Sequence, residues 1–296
     1  MRASASIDRR QPPARRLSGL FWSAKSDLVT GQSIVSDHVL ENIPDISWTD
    51  SRYANTGVTA LFSVIFRYLF VYIRLVVSRP DFHYLVCSRS LFGFLRDAPI
   101  LVTSRLGQPT LVHVHGSDIT ALFDRPVIGA IARFCYRHTT IIIPSQHLVE
   151  PLLERGLLQL SVIENFAAKP ATKPSIQNLE DRSLSVLWNS NIMASKGIRE
   201  LAIGVEKAIS LGANLNFTVI GKLIPDDEAS LPELQRFVDD LASKPWVHFH
   251  GPVSHETALS LLDDADIVAL PSQYSSECQP RAIIPAMCLG TAMSVT

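Results

Sequence analysis

The sequence predicts an α/β protein built from two doubly wound sheets of parallel strands, the second of them incomplete. Three observations carry this reading. Short apolar runs alternate with longer segments of helical period, the pattern of successive βαβ units. An aperiodic stretch rich in Lys, Pro, Ser and Asn, residues 167–182 with Pro170 and Pro174, breaks the alternation into two halves. The length of 296 residues suits about two domains.

Along the chain, residues 1–16 carry Arg2, Arg9, Arg10, Arg15 and Arg16 against Asp8, with Pro12 and Pro13. They lack the apolar core of a secretory signal and read as a disordered basic arm, a transit peptide being the alternative. Residues 17–166 form the first domain, with strands expected at Leu17–Trp22, His83–Cys87, Thr110–Val114, Thr139–Pro144 and Ser161–Glu164. After the linker, residues 183–296 restart the alternation with strands at Leu184–Trp188, Asn216–Ile220, Trp246–His250 and Asp266–Leu270. Between the first two, Ile198, Leu201, Ala202, Val205, Ala208 and Ile209 keep the 3–4 spacing of one helix face. Thr291 to Val295 reads as a buried strand with no following helix to cover it, which suggests a truncated domain. In open sheets of this kind ligands bind beyond the carboxyl ends of the strands, so the crevice between the halves is the expected site.

One segment raises the membrane question. Val58 to Val77 is almost wholly Val, Leu, Ile and Phe, interrupted by Arg67 and Arg74. Its apolar residues favour insertion by roughly 4–8 kcal/mol, and two central arginines cost nearly as much. At helical spacing Ser63, Arg67 and Arg74 share one face. The first expectation is a buried helix with an arginine stripe, ahead of a helix lying on anionic lipid or a membrane span.

Composition narrows the function. The 27 basic and 28 acidic residues nearly cancel, so no global field draws the chain to nucleic acid. An apolar share of 47% excludes disorder of the whole chain. Cys87, Cys135, Cys278 and Cys288 contain no C-x-x-C pair, and read as reduced, buried thiols of a cytoplasmic protein.

Several loops could carry chemistry. His115, followed by Gly116, stands just past the strand at Thr110–Val114, and His113 points the same way from within it. The alternative is a packed or solvated histidine. Asn191 to Gly197 follows a strand and opens a helix, whose unpaired N–H groups and positive dipole end, with Lys196, suit a diphosphate. Gly31, with Gln32 and Ser33, is a weaker match of the same kind. Glu277 lies in a Ser/Gln/Pro loop where a carboxylate can accept hydrogen bonds from sugar hydroxyls, or merely be solvated. Other patterns are structural: Asp264-Ala265-Asp266 sits at a helix end, where capping explains it better than metal binding. His248, His250 and His255 lack a second ligand cluster. The sequon Asn216-Phe217-Thr218 falls in a buried strand.

The segments Leu187-Trp188-Asn189-Ser190-Asn191, Lys196-Gly197-Ile198, Val219-Ile220-Gly221 and Val247-His248-Phe249-His250-Gly251 come in an order that resembles a known family. Ala265 to Ser272, Glu277, Ala286-Met287 and Gly290-Thr291 complete the series, and His115-Gly116, Pro144-Ser145 and Val162 to Asn165 add to it. The chain resembles the GT-B glycosyltransferases of family 4, also called the group 1 glycosyltransferases. The resemblance implies two Rossmann-like domains of GT-B type. The first would be the acceptor side and the second would bind a nucleotide sugar, as a substrate rather than a cofactor. It implies hexosyl transfer to a polysaccharide or lipid-linked acceptor, with retention and without a metal. It makes His115 and Glu277 catalytic contacts to the sugar and places Lys196 at the donor diphosphate, where the residues themselves add Asn191, Gly197 and Gly31 as expected contacts. Residues 58–77 would then touch the inner face of a membrane peripherally.

The sequence departs from the family pattern at three points. Asn191 replaces an arginine. Pro285 stands where a second glutamate would accept hydrogen bonds from the nucleotide ribose, and a proline there disturbs a helix unless it lies in the first turn. The family's further C-terminal units are absent. The alternatives are a non-catalytic, truncated remnant that binds a nucleotide sugar or a partner, and a related sugar-nucleotide epimerase.

Overall fold

A computed structural model of the chain describes residues 16–25, 31–43, 45–54, 58–77, 79–88, 90–166, 182–274, 277–280 and 282–295. The expected basic arm and linker lie outside these residues, except for Arg16 and Arg182. The chain forms two compact units that divide between Ile163 and Glu164.

The first unit runs β1 (Leu17–Trp22), β2 (Ala24–Lys25), α1 (Gly31–Asn42), β3 (Ile46–Asp50), β4 (Tyr53–Ala54), α2 (Val58–Val77) and β5 (Phe82–Val86). It continues through α3 (Leu91–Val102), β6 (Thr110–His113), α4 (Thr120–Phe123), α5 (Pro126–Tyr136), β7 (Thr140–Ile143), α6 (Val149–Glu154) and β8 (Leu160–Val162). Six strands form one parallel sheet in the order β3-β1-β5-β6-β7-β8, and β2 pairs separately with β4.

Alternation along β1 shows why its apolar run is continuous. Phe21 packs with Tyr84, Val86 and Ile142 against Val39 and Leu40 of α1. Trp22 points to the opposite face, stacks on Tyr68 of α2 at 5.3 Å, and donates from Nε1 to Asp97 of α3 at 3.0 Å. A strand covered on both faces has no polar side to show. Asp97 is fully buried, and burial pushes its carboxyl pKa up although Ser88, Trp22 and Arg96 oppose the shift.

The second unit runs β9 (Leu184–Asn189), α7 (Ile198–Ser210), β10 (Leu215–Ile220), α8 (Leu231–Ala242), β11 (Val247–Gly251), α9 (His255–Asp263), β12 (Ile267–Leu270), α10 (Ile284–Leu289) and β13 (Ala292–Val295). Its five parallel strands take the order β11-β10-β9-β12-β13. Val186, Trp188, Phe217 and Val219 meet Ile198, Ala202 and Val205 of α7 and Val238 and Leu241 of α8 on one face. Leu187, Ile220 and Val268 meet Leu262 of α9 and Ala286 and Leu289 of α10 on the other. Each expected strand is present within two residues of its expected ends, and the expected helix face at Ile198 is the buried one.

Three expectations are corrected. Helix α2 is not buried all round: Val64 and Val71 face inward, but Phe62, Phe66, Leu69 and Val77 are more than half exposed. No described helix is long and apolar enough to cross a membrane. Strand β13 is not buried, because it is an edge strand paired only with β12 and all four residues are exposed. Cys87 and Cys135 are buried, but Cys278 is half-buried and Cys288 lies on the exposed face of α10.

The aspartates of Asp264-Ala265-Asp266 are structural. Asp264 occupies the C-cap of α9. Asp266 takes both guanidinium nitrogens of Arg182 in a fork and accepts from the Ser185 amide at 2.8 Å. The hydrogen bond from Arg182 holds the Asp266 pKa below its ordinary value against the opposing effect of burial. A carboxylate with a depressed folded pKa stabilises the fold above its unfolded pKa, and the contribution vanishes as pH falls through the folded value. Asp266→Asn should therefore lower the thermal midpoint at neutral pH. The gap to the native chain should close below about pH 4 in a pH series of thermal melts; a gap independent of pH would remove the ionic role.

Candidate functional site

In the second unit the chain leaves β9 for β10 and β11 on one side, then crosses to β12 and β13 on the other. The strand order therefore reverses between β9 and β12, and a ligand crevice opens beyond the carboxyl ends of such a pair. Two loops emerge there, residues 190–197 after β9 and 271–283 after β12.

These loops are held in close contact. The Gln273 amide donates to the Ser195 carbonyl at 2.8 Å. Gly197 has a left-handed φ of 80°, and a Cβ there would lie 2.1 Å from the Pro271 carbonyl oxygen. On the other side, Ile192 bridges to Leu223 in the loop after β10. Asp226 of that loop accepts from the Ser195 amide at 2.9 Å and its hydroxyl at 2.7 Å, and from the Ala229 amide at 2.9 Å. Burial opposes ionisation of Asp226, but these bonds outweigh it and draw its pKa below the ordinary value. The 194–196 turn is thus clamped from both sides.

Lys196 is the residue this clamp presents. Its Nζ lies 3.2 Å from Glu277 Oε2, donates to Ser190 Oγ at 3.2 Å, and stands 6.0 Å over the Tyr274 ring. The side chains of Lys196 and Glu277 are 14% and 23% exposed, so their attraction is screened less than that of a surface pair. Directly behind Lys196, Gly197 is the N-cap of α7, and no side chain caps the helix. Its first amides and positive dipole end remain available to an anion.

The other sequence candidates fall as follows. Asn191 shares the Lys196 loop. Pro285 is the second residue of α10, where an amide has no intrahelical partner, so the helix tolerates it. His115 and Gly31 belong to the first unit. Gly31 opens α1, and His115 lies two residues beyond β6 with its ring 4.1 Å from that of His113. His113 shares a hydrogen bond with Tyr84 Oη at 2.5 Å, and burial pushes its imidazole down to about 4. His115 therefore rests on a neutral ring.

Residues 184–296 match the sequence model of a family described as Glycosyl transferases group 1. The second unit is thus similar to the group 1 glycosyltransferases, over less than half of the chain. Among curated proteins, an alpha-D-kanosaminyltransferase of Streptomyces kanamyceticus is 24% identical over 199 residues, which are 60% of this chain and 50% of that protein. The match thus spans half the length of that relative. Among solved structures, Anabaena HepE in complex with UDP-glucose superposes with a TM-score of 0.67 at 15% identity, over 94% of this chain and 80% of that one. Sucrose-phosphate synthase from Thermosynechococcus elongatus gives 0.66 at 16% identity, over 95% and 81%. At these identities the likeness is one of fold: two Rossmann-like units of GT-B type.

The structure brings together Lys196 and Glu277, both singled out from the sequence, and adds the contacts that hold them, which the sequence reading missed. Asp226 was findable, since Pro225-Asp226-Asp227 just past an apolar strand is a turn signal in which Asp bonds backbone two or three residues on. Ser190, Tyr274 and Tyr84 carry no comparable local signal. A further clamp joins Asn165 to the Glu277 loop: its amide donates to Gln279 Oε1 at 2.6 Å.

Gly197→Ala should destabilise the second unit by at least about 2 kcal/mol, since a left-handed alanine costs roughly 1–2 kcal/mol before the Pro271 clash is counted. Urea denaturation measures this; a change within about 0.5 kcal/mol would mean that the loop is free to yield.

Proposed function

We propose that this chain transfers a sugar from a nucleotide-sugar donor to a hydroxyl of a polysaccharide or lipid-linked acceptor, with retention and without a metal. The observation that carries the reading is the Lys196–Glu277 pair at the strand-order reversal, directly in front of the α7 N-terminus. The complex of Anabaena HepE with UDP-glucose supports the donor class. In this reading the donor diphosphate lies against Lys196, Gly197 and the first amides of α7, with Asn191 as a further contact. As the bond from the anomeric carbon to the diphosphate breaks and the acceptor oxygen bonds to that carbon, negative charge grows on the leaving phosphate, whose oxygen takes up the acceptor's hydroxyl proton. A fixed ammonium and a helix N-terminus stabilise that charge, which is the electrostatic task a metal would otherwise perform. Glu277, released from Lys196 by the phosphate, accepts hydrogen bonds from sugar hydroxyls.

Lys196→Ala should weaken UDP or GDP binding about 30- to 100-fold in calorimetry, the loss of a charge-assisted hydrogen bond. Unchanged affinity would overturn the assignment. The native chain should also release the free nucleotide slowly from its sugar donor without acceptor. Binding without release would favour the second reading, a donor-binding remnant, to which Pro285 points.

Pro285 also tests the alignment of α10. Pro285→Glu should tighten nucleotide binding about tenfold if this position faces the ribose. The same calorimetric titration showing no gain would place the ribose elsewhere.

A further inference from the structure

Three helices of the first unit form one layer. The steps β3 to β5, β5 to β6, β6 to β7 and β7 to β8 all run the same way across the sheet. Right-handed crossovers therefore put α2, α3, α5 and α6 on one face, with α6 and its exposed Glu150 and Glu154 at the β8 edge beyond the α2–α3–α5 layer. Helix α3 packs against both of the others, and Tyr72 of α2 donates to the Pro99 carbonyl of α3 at 3.0 Å.

The outer surface of this layer is apolar on every helix. On α2, Phe62, Phe66, Leu69 and Ile73 are 69%, 67%, 59% and 51% exposed. At 100° per residue they fall in an arc of roughly 60°, opposite Val64 and Val71, which pack inward. On α3, Phe92 is exposed, and on α5, Val127, Ile131 and Phe134 form an exposed i, i+4, i+7 stripe. A surface of this extent marks an interface.

Charge identifies what covers it. Across α2, α3 and α5 the only acidic residue is Asp97, which is fully buried. The same helices carry Arg67, Arg74, Arg96 and Arg133. Where α3 and α5 end, a cavity of about 560 Å³ is lined by Arg105, Arg133, Arg137 and His138, with no acidic side chain in its wall. It lies at the amino ends of β6, β7 and β8, the opposite end of that sheet from His115. A second copy of this chain would set the basic layer against itself, which like charge disfavours. Apolar side chains ringed by arginines match instead the interface of an anionic bilayer, with aliphatic and aromatic groups in the acyl boundary and guanidinium groups at phosphate level.

We infer that the α2–α3–α5 layer lies on a bilayer of anionic phospholipid, the cavity between Arg105 and His138 seating a lipid phosphate. The inference does not depend on the proposed transfer reaction. Co-sedimentation of the full chain with vesicles tests it. The chain should pellet with equal parts phosphatidylcholine and phosphatidylglycerol, and stay in solution with phosphatidylcholine alone. Phe66→Glu with Leu69→Glu should weaken partitioning more than about tenfold, while Arg74→Ala and Arg137→Ala should each weaken it about fivefold. All four positions are exposed, so the thermal midpoint should hold and report intact folding. Equal pelleting of native and variant chains, or no pelleting of the native chain, overturns the inference. So does a lipid-free dimer, seen by ultracentrifugation, that Phe66→Glu with Leu69→Glu dissolves.

Discussion

The half-buried ion pair between Lys196 and Glu277 is the interaction on which the candidate site depends. Each residue comes from a different loop, one after β9 and one after β12, and neither loop has room to withdraw. Pro271 presses on Gly197 where no Cβ fits, and Asp226 holds Ser195 from the opposite side. The ammonium is therefore fixed in place before any ligand arrives. A pair in this setting is a poor source of stability, because taking both charges partly out of water offsets much of their attraction. Its value lies in exchange. In the proposed reaction the donor diphosphate would offer Lys196 a stronger anion than Glu277, and the displaced carboxylate, still held on its own loop, would find new donors nearby. Sugar hydroxyls are donors of the right kind.

The same constraint explains which parts of the fold were legible. Strands covered on both faces read as apolar runs, so β1, β7 and β12 announce themselves. Strand β3 does not: its Ser47 and Thr49 share the polar side of an edge strand, so no apolar run marks it and no strand is expected there. Lys196 was legible because a basic residue and a glycine after a strand, ahead of a periodic segment, describe a helix start by local chemistry alone. Asp226 and Tyr84 act across 31 and 29 residues of sequence, on Ser195 and His113 respectively, and no local pattern encodes such a partner. Helix α2 shows a different limit. Its periodicity predicts a helix correctly, but whether an apolar face is covered is a property of neighbouring elements, and hydropathy cannot supply it.

Pro285 separates structure from chemistry in the second unit. As the second residue of α10 it loses no intrahelical hydrogen bond, and its fixed φ suits a helix start. Ala286 and Leu289 keep α10 on the sheet. A proline here is thus neutral or favourable for folding, and any consequence falls on the ligand. A carboxylate is removed from a position beside the proposed donor site, while the cation and helix amides that would meet a diphosphate are untouched. The substitution would loosen the grip on a nucleoside and spare the grip on its phosphates.

The arginines of the first unit have a local explanation that must be weighed against the membrane. Cations near helix C-termini meet the negative end of the dipole, and Arg74, Arg105, Arg133 and Arg137 all stand where α2, α3 or α5 ends. Arg105 stacks on Phe134 at 3.6 Å and Arg133 donates to the Phe123 carbonyl at 2.8 Å, so each also has intramolecular work. The dipole, however, accounts only for the ends of the helices. It says nothing about Phe62, Phe66 and Leu69 on the middle of α2, nor about Phe92 near the start of α3, where a dipole argument favours acids. Exposed aromatic side chains along α2, α3 and α5 and the lack of exposed acid on those three helices are separate observations. A bilayer carrying negative charge satisfies both at once, whereas helix capping satisfies neither.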